Sequence, residues 1–397
     1  MAEQGMKAAL SIFWLILLVM ISDARAKVIR VPDDYTRIQE AIDVSQKNDV
    51  IMVDQGTYYE NIHIEENRCL IGAGSELTIL LDTGKGPPDP VVEIAGEVLL
   101  QGFTITGARG SGVGHAVMIL RGAPMIVDNI IRDNAYTAIG VHSQVSFTAP
   151  IIAGNKIFGN GGAGIANLGK FSKAVIINNE IFNNTNVGIA CTDSAGPRIE
   201  NNHIHDNGAG VALKDEADTK VRNNQVVGNK LVGVNVSRKA KGTIRNNNIM
   251  SNGSTGINVE SSPYTLVKKN TIVDNGAEGV FVKNKSKAVV DRNIIFGNLP
   301  TLVQYIGSEV TFTNNQVYAQ ESVETKTLAV IVRKSKMLTA NNEIQGGFDL
   351  DEKSVEIRLN KKARKIKPLK TQLQTVVDKK SPDASLQVRP KSCWLFR

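Results

Sequence analysis

Two small sets of residues have the types and spacing to do chemistry. The first is His203-Ile204-His205. Alternate residues of a strand share a face, so an inward Ile204 turns both imidazoles outward at a spacing familiar from metal-ligand pairs. Glu180 and Gln225 stand where His203 stands, in the repeats on either side. The second set is Thr192-Asp193 and Lys214-Asp215. Two carboxylates on strands in register would lie ~5 Å apart. That closeness raises the pKa of one of them, which is a way to make a general acid. Asp193, Asp215 and Lys214 are therefore the catalytic candidates. Their plainer role is a solvated turn column whose charge the flanking lysines and arginines neutralise. Those cations, Arg238, Lys239 and Lys241, then Lys283, Lys285 and Lys287, would also suit a polymer with a carboxylate on each sugar. His142, which ends a strand before a long turn carrying Phe147, joins Tyr264 and Phe281 as residues able to stack on sugar rings or simply to pack.

What positions these residues is a repeat. The pattern Asn-x-Ile/Val-x-x-Asn starts at Asn129, Asn155, Asn179, Asn202, Asn224, Asn247, Asn270 and Asn293, with degenerate copies at Asn315 and Asn342, at intervals of 22 to 27 residues. Four residues past most second asparagines comes a glycine (Gly164, Gly188, Gly233, Gly256, Gly279), then an apolar-x-apolar strand such as Val280-Phe281-Val282. One repeat closes one coil, and the next coil lies ~4.8 Å above it, so like residues stack in columns. Stacked asparagines can bond their amides along the column, as in cross-β ladders, while Asn and Gly accept the left-handed backbone of a bend. Runs of Asn-Asn and abundant β-branched residues disfavour a helical solenoid. The fold expected is all-β, a right-handed parallel β-helix of ten to twelve coils. Over residues 35–45 the spacing of Ile38, Ala41 and Ile42 predicts a short amphipathic helix, with Thr36 as its N-cap, that plugs the N-terminal end.

The opening of the chain carries a resemblance. Val31-Pro32-Asp33-Asp34-Tyr35, Ile38-Gln39-Glu40-Ala41-Ile42, Asp49-Val50-Ile51 and Gly56-Thr57-Tyr58-Tyr59-Glu60-Asn61 resemble the N-terminal region of the pectin-lyase-like β-helix superfamily. Together with the Asn-rich coils they look most like the periplasmic accessory proteins of nitrous oxide reductase. The resemblance covers residues 28 to about 350 and implies the β-helix fold. It also implies a superfamily whose members bind, cleave, de-esterify or epimerise polysaccharides, mostly uronate-rich ones. The chain departs from the catalytic patterns of that superfamily. Gly56-x-Tyr58-x-Glu60 matches a pectin methylesterase segment, but the later esterase motifs are absent. Where polygalacturonases place a Gly-His-Gly, one coil beyond their aspartates, this chain has Ser237-Arg238. The calcium aspartates and catalytic arginine of pectate lyases are not visible. If the chain is an enzyme, the resemblance implies a polysaccharide lyase, glycoside hydrolase or epimerase. No motif names a cofactor.

The ends bound the rest. An apolar run over residues 12–21, preceded by Lys7 and followed by Ala24-Arg25-Ala26, reads as a secretory signal peptide cleaved after Ala26, shorter than a bilayer span. The expected layout is residues 1–26 as leader, 27–352 as β-helix and 353–397 as a basic tail or cap. The tail holds 13 Lys and Arg against 3 Asp and Glu, so the chain's net +7 leaves −3 for everything else. The basic character thus belongs to the tail, which suits nucleic acid, anionic lipid or anionic glycan, and export makes nucleic acid the least expected of the three. Cys191 falls at an apolar strand position and reads as core filler. The sequence thus points to a secreted or periplasmic β-helix that binds a polysaccharide, an anionic one favoured, along one long face, with processing left open and the missing catalytic set favouring binding over turnover. The alternatives are a periplasmic accessory protein of copper-enzyme maturation and a non-catalytic surface solenoid. Mass spectrometry of exported protein should find Lys27 at the mature N-terminus; intact Met1 in a membrane fraction would show an anchor instead.

Overall fold

A computed structural model describes residues 26–65, 67–110, 114–319 and 328–358. The leader proper and most of the basic tail lie outside this range. The described chain winds through three parallel sheets of 15, 13 and 13 strands, each strand pairing with its equivalents one coil before and one coil after. A coil takes one strand from the first sheet, one from the second and one from the third. The strand counts therefore give thirteen complete coils, with an extra first-sheet strand at each end, Val28–Val31 and Val355–Arg358. This exceeds the ten to twelve coils expected. The first three coils, from Val50 to Arg121, precede Asn129 and carry no asparagine ladder, so the repeat pattern does not reveal them.

The columns form as the repeat requires. Ile157, Ile181, Ile204, Val226, Ile249, Ile272 and Ile295 stack inward on the second sheet, and each is fully buried. Cys191 occupies an inward position of the third sheet, buried and free, beside Asn167 and Leu213. At the two corners that flank the second sheet, buried asparagines form two continuous ladders. One runs from Asn129 to Asn342 and the other from Asn134 to Asn298. A single member shows the pattern. Asn155 Oδ1 accepts from the backbone N–H and the Nδ2 of Asn129, while its own Nδ2 donates to Asn179 Oδ1 and to the Ile126 carbonyl. The left-handed residue is not the ladder asparagine, as the sequence suggested, but the one before it. Asp128, Gly154, Asn178, Asn201, Asn223 and Asn246 all have positive φ, and even Lys269 and Arg292 adopt it at this corner. The glycine column answers a different need. A Cβ on Gly256 would stand 2.8 Å from the Gly279 carbonyl and 2.9 Å from Asn275 Nδ2, so only glycine admits the ladder this close. Gly210 belongs to the same column; its turn is one residue shorter, which hides it from a fixed-offset search.

The expected N-terminal plug is present as a helix, Ile38–Val44, with Ile38, Ala41 and Ile42 buried against the first coils. Thr36 does not cap it. The cap residue is Arg37, which makes no side-chain cap bond. Instead the buried carboxylate of Glu60, a coil away, accepts from the backbone N–H groups of Ile38 (2.8 Å) and Gln39 (3.1 Å). A carboxylate there satisfies two orphan donors and meets the positive end of the helix dipole. Among the described residues, no helix is long and apolar enough to cross a membrane.

The ladder makes a sharp stability prediction. Asn224→Ala leaves the buried Asn202 N–H without its acceptor and removes one of the bonds of Asn202 Nδ2, which keeps the Ile176 and Glu200 carbonyls. At roughly 1–3 kcal/mol for a buried group so orphaned, denaturant unfolding should shift well below that of Asn248→Ala, a change at a half-exposed outward position. Ile249→Ala, which empties an inward column between coils that cannot collapse, should cost ~2–5 kcal/mol. Equal unfolding midpoints for Asn224→Ala and Asn248→Ala would refute the ladder's role.

Candidate functional site

The turns joining the third sheet to the first stack into a lengthwise face. Several are two-residue turns with both residues left-handed: Asp193-Ser194, Asp215-Glu216, Arg238-Lys239 and Asn284-Lys285. Such turns favour Asp, Asn and Gly for conformational reasons, so the acidic residues here have a structural as well as a chemical use. Asp193 and Asp215 do come together. The Ser194 N–H donates to the Asp215 carbonyl, and the Thr192 hydroxyl lies 3.2 Å from Asp193 Oδ1 and 3.0 Å from Asp215 Oδ2. One hydroxyl, with a single proton to donate, thus lies between two carboxylates. The long turn of residues 143–150 leans over the next coil, and Gln144 Nε2 donates to Asp193 Oδ2 at 3.4 Å. Gln144, Lys170, Asp193, Ser194, Asp215, Glu216, Arg238 and Lys239 line an open cleft of about 650 Å³.

The cations of this face are not a bare row. Arg238 Nη1 stands 3.6 Å from Asp215 Oδ2, and Lys239 Nζ 3.5 Å from Glu216 Oε1, each one coil away. Farther along, Lys283 pairs with Glu260 at 3.5 Å and Lys287 with Glu309 at 3.1 Å. Acids and bases therefore alternate up the column and largely neutralise one another. Lys170, Lys214 and Lys285 have no carboxylate partner among the described residues.

The remaining sequence candidates fall elsewhere. Phe281 faces outward on the third sheet, but the Lys283 ammonium covers its ring at 5.0 Å. Tyr264 is exposed on the turn column between Lys239 and Lys285, while Phe147 is exposed in the long turn. His142 does not reach the cleft. Its Nε2 is 3.3 Å from His115 Nε2, and His115 packs in turn against Tyr136. This pair was not legible from the repeat, because its members are not equivalent positions: the coils pair Val117 with Ile139 and Ile119 with Val141, so His115, before its strand, meets His142 at the end of the next. Burial, with His142 beside it, pushes the His115 pKa down to about 4, and burial lowers that of His142.

His203 and His205 lie on a different face, the outside of the second sheet. Strands Glu180–Phe182 and His203–His205 pair so that Glu180 sits beside His203 and Phe182 beside His205. Both imidazoles face outward around the buried Ile204, as expected. The Phe158, Phe182 and His205 rings stack, with centroids 4.8 and 4.9 Å apart. Each stands at the same place in its repeat, the signal that could have revealed this stack. Burial, the largest effect, and the neighbouring His205 lower the His203 pKa.

The family model for the right-handed beta helix region matches residues 94–240 and 230–344. The chain belongs to that family. No curated protein matches this β-helix. Among solved structures it is similar to the A-module of mannuronan C-5 epimerase AlgE6 from Azotobacter vinelandii, with 16% identity over 83% of this chain and 97% of the other, at a TM-score of 0.51. It is also similar to the catalytic unit of a GH87 α-1,3-glucanase from Streptomyces thermodiastaticus, with 16% identity over 85% and 69% and a TM-score of 0.57. A third likeness is to the pre-mature gene product 12 of bacteriophage phi29, with 14% identity over 87% and 59% and a TM-score of 0.56. At these identities the likeness is one of fold.

The histidine pair gives a pH prediction. A His whose folded pKa is depressed contributes stability that is full above its unfolded value near 6.5 and is lost as pH falls toward the folded value of about 4. The melting temperature should therefore drop across that window, and His115→Gln should flatten the drop. An NMR titration placing the His115 midpoint at or above 6.5 would contradict this.

Proposed function

We propose that this β-helix binds a polysaccharide chain laid along its turn column, centred on Asp193 and Asp215. The observation that carries the reading is the cleft itself: an open groove on a rigid stack, with carboxylates to accept from sugar hydroxyls and Gln144 and Lys170 beside them. Two of the similar structures, by their names, act on polysaccharides, mannuronan in one case and an α-1,3-glucan in the other. We read binding, not turnover, as the function. Asp215 is engaged by Arg238 and Thr192, and the chain departs from the catalytic patterns of its superfamily. A preference for uronate-rich polymers rests on Lys170, Lys214 and Lys285, which, like Lys241, have no carboxylate partner among the described residues. Export through the leader ending at Ala26 belongs to the same proposal, since it brings the cleft to where such polymers lie.

Each exposed contact contributes only ~0–1 kcal/mol, so affinity has to come from several coils acting together. Affinity electrophoresis through gels containing a polyuronate or a neutral glucan tests this. The protein should be retarded, and Asp193→Asn/Asp215→Asn should lose at least ~10-fold in affinity, about 1.4 kcal/mol. Retardation by polyuronate alone, weakened by salt between ~0.05 and ~0.15 M and by Lys170→Glu, would establish the uronate preference. The basic tail is intact in these variants, so retention that survives all of them belongs to the tail and defeats the cleft reading.

A further inference from the structure

We propose that Glu180, His203 and His205 form a binding site for one divalent first-row transition-metal ion, of the zinc and copper class, on the outer face of the second sheet. The site is separate from the polysaccharide cleft and does not depend on that reading. Glu180, His203 and His205 each offer a ligand atom, and these atoms lie within 4.8 Å of one another. The register puts them there. Glu180 and His203 are direct neighbours on paired strands, and His205 follows on the same face because Ile204 between them is locked in the core.

The decisive atom is His205 Nε2. Its ring partner, Nδ1, lies 2.7 Å from Asp206 Oδ2, which makes Nδ1 the protonated nitrogen and leaves a lone pair on Nε2. That Nε2 is buried and has no hydrogen-bond partner. It faces Glu180 Oε1 at 3.6 Å, too far for a hydrogen bond and close enough to share an ion. A buried acceptor left unpaired costs free energy unless something fills the gap. The surroundings hold the ligands still. The His205 ring lies flat beneath Phe182, at an interplanar angle of 2°, with Phe158 beyond, and Lys156 Nζ stands over both phenylalanines and 4.0 Å from Glu180 Oε2. The other oxygen of Glu180 is thus the one turned toward the histidines.

The donor set selects the ion. Two imidazole nitrogens and one carboxylate suit zinc, copper or nickel and leave positions open for water, whereas calcium and magnesium want more oxygen ligands than are present. Asp206 then acts as a positioning residue, since a carboxylate on the far nitrogen orients a ligating imidazole and raises its basicity.

Calorimetric titration of chelator-stripped, tag-free protein with zinc chloride should show one site per chain and no heat with magnesium or calcium. The electron paramagnetic resonance spectrum with Cu²⁺ should show coupling to nitrogen. His203→Gln/His205→Gln should abolish the site, Glu180→Gln should weaken it, and Asp206→Asn should weaken it by ~10–100-fold. His142→Gln, in the other histidine pair, should leave it unchanged. All of these changes lie outside the core columns, and an unaltered circular dichroism spectrum checks that the coils persist. The proposal is overturned if zinc binds no more tightly than about 1 mM, if the double variant binds as well as wild type, or if His142→Gln is the change that removes the site.

Discussion

A buried asparagine amide has two donors and an acceptor to satisfy, and a parallel coil gives it neighbours only above and below. In this β-helix the two requirements meet. Each ladder asparagine accepts from the coil before it and donates to the coil after it, along columns that run from Asn129 to Asn342 and from Asn134 to Asn298. A coil that slipped by one residue would break both columns at once and turn its inward isoleucine outward. The ladders, more than the apolar columns they border, make the register unique, because isoleucine and valine pack acceptably in several alignments while an amide chain is satisfied in only one.

Everything with functional promise follows from that register. Asp193 and Asp215 share the Thr192 hydroxyl because their turns are stacked, and Arg238 and Lys239 pair with Asp215 and Glu216 for the same reason. On the second sheet it brings Glu180 beside His203 and Phe182 beside His205. The two places use it differently. The turn column repeats a left-handed conformation and lets charge vary freely, which yields a neutral-on-balance cleft open to a long polymer. The sheet face repeats an outward direction and yields a small, rigid cluster suited to a single ion.

The repeat and the inward column were legible because they recur at nearly constant spacing with one residue type. The first three coils were legible only in fragments, as strand patterns at residues 70–74, 78–81 and 102–105, since no asparagine marks their corners. Thr36 was a reasonable cap by residue type, but the donors it would have served were taken by Glu60 from another coil, a contact that no local pattern shows. The site residues were legible as residues and not as partners. Asp215 and Arg238 stand out in the sequence as an acidic and a basic block able to neutralise each other, yet only coil-to-coil register shows which residue pairs with which. His115 had no visible partner because His142 does not stand at the equivalent place in the next coil, where Val117 pairs with Ile139 and Ile119 with Val141.

Register is therefore the claim to test most directly, by cysteine cross-linking of outward positions on the second sheet. Asn248 and Thr271 are direct neighbours on adjacent coils, whereas Gln225 and Thr271 are two coils apart. Stacked parallel strands sit ~4.8 Å apart, within disulfide reach, and two coils apart the distance is beyond it. Mild oxidation of Asn248→Cys/Thr271→Cys should close an intramolecular bridge quantitatively, and Gln225→Cys/Thr271→Cys should remain reduced under the same conditions. A bridge in the second protein and none in the first would contradict the register, and with it both sites built upon it.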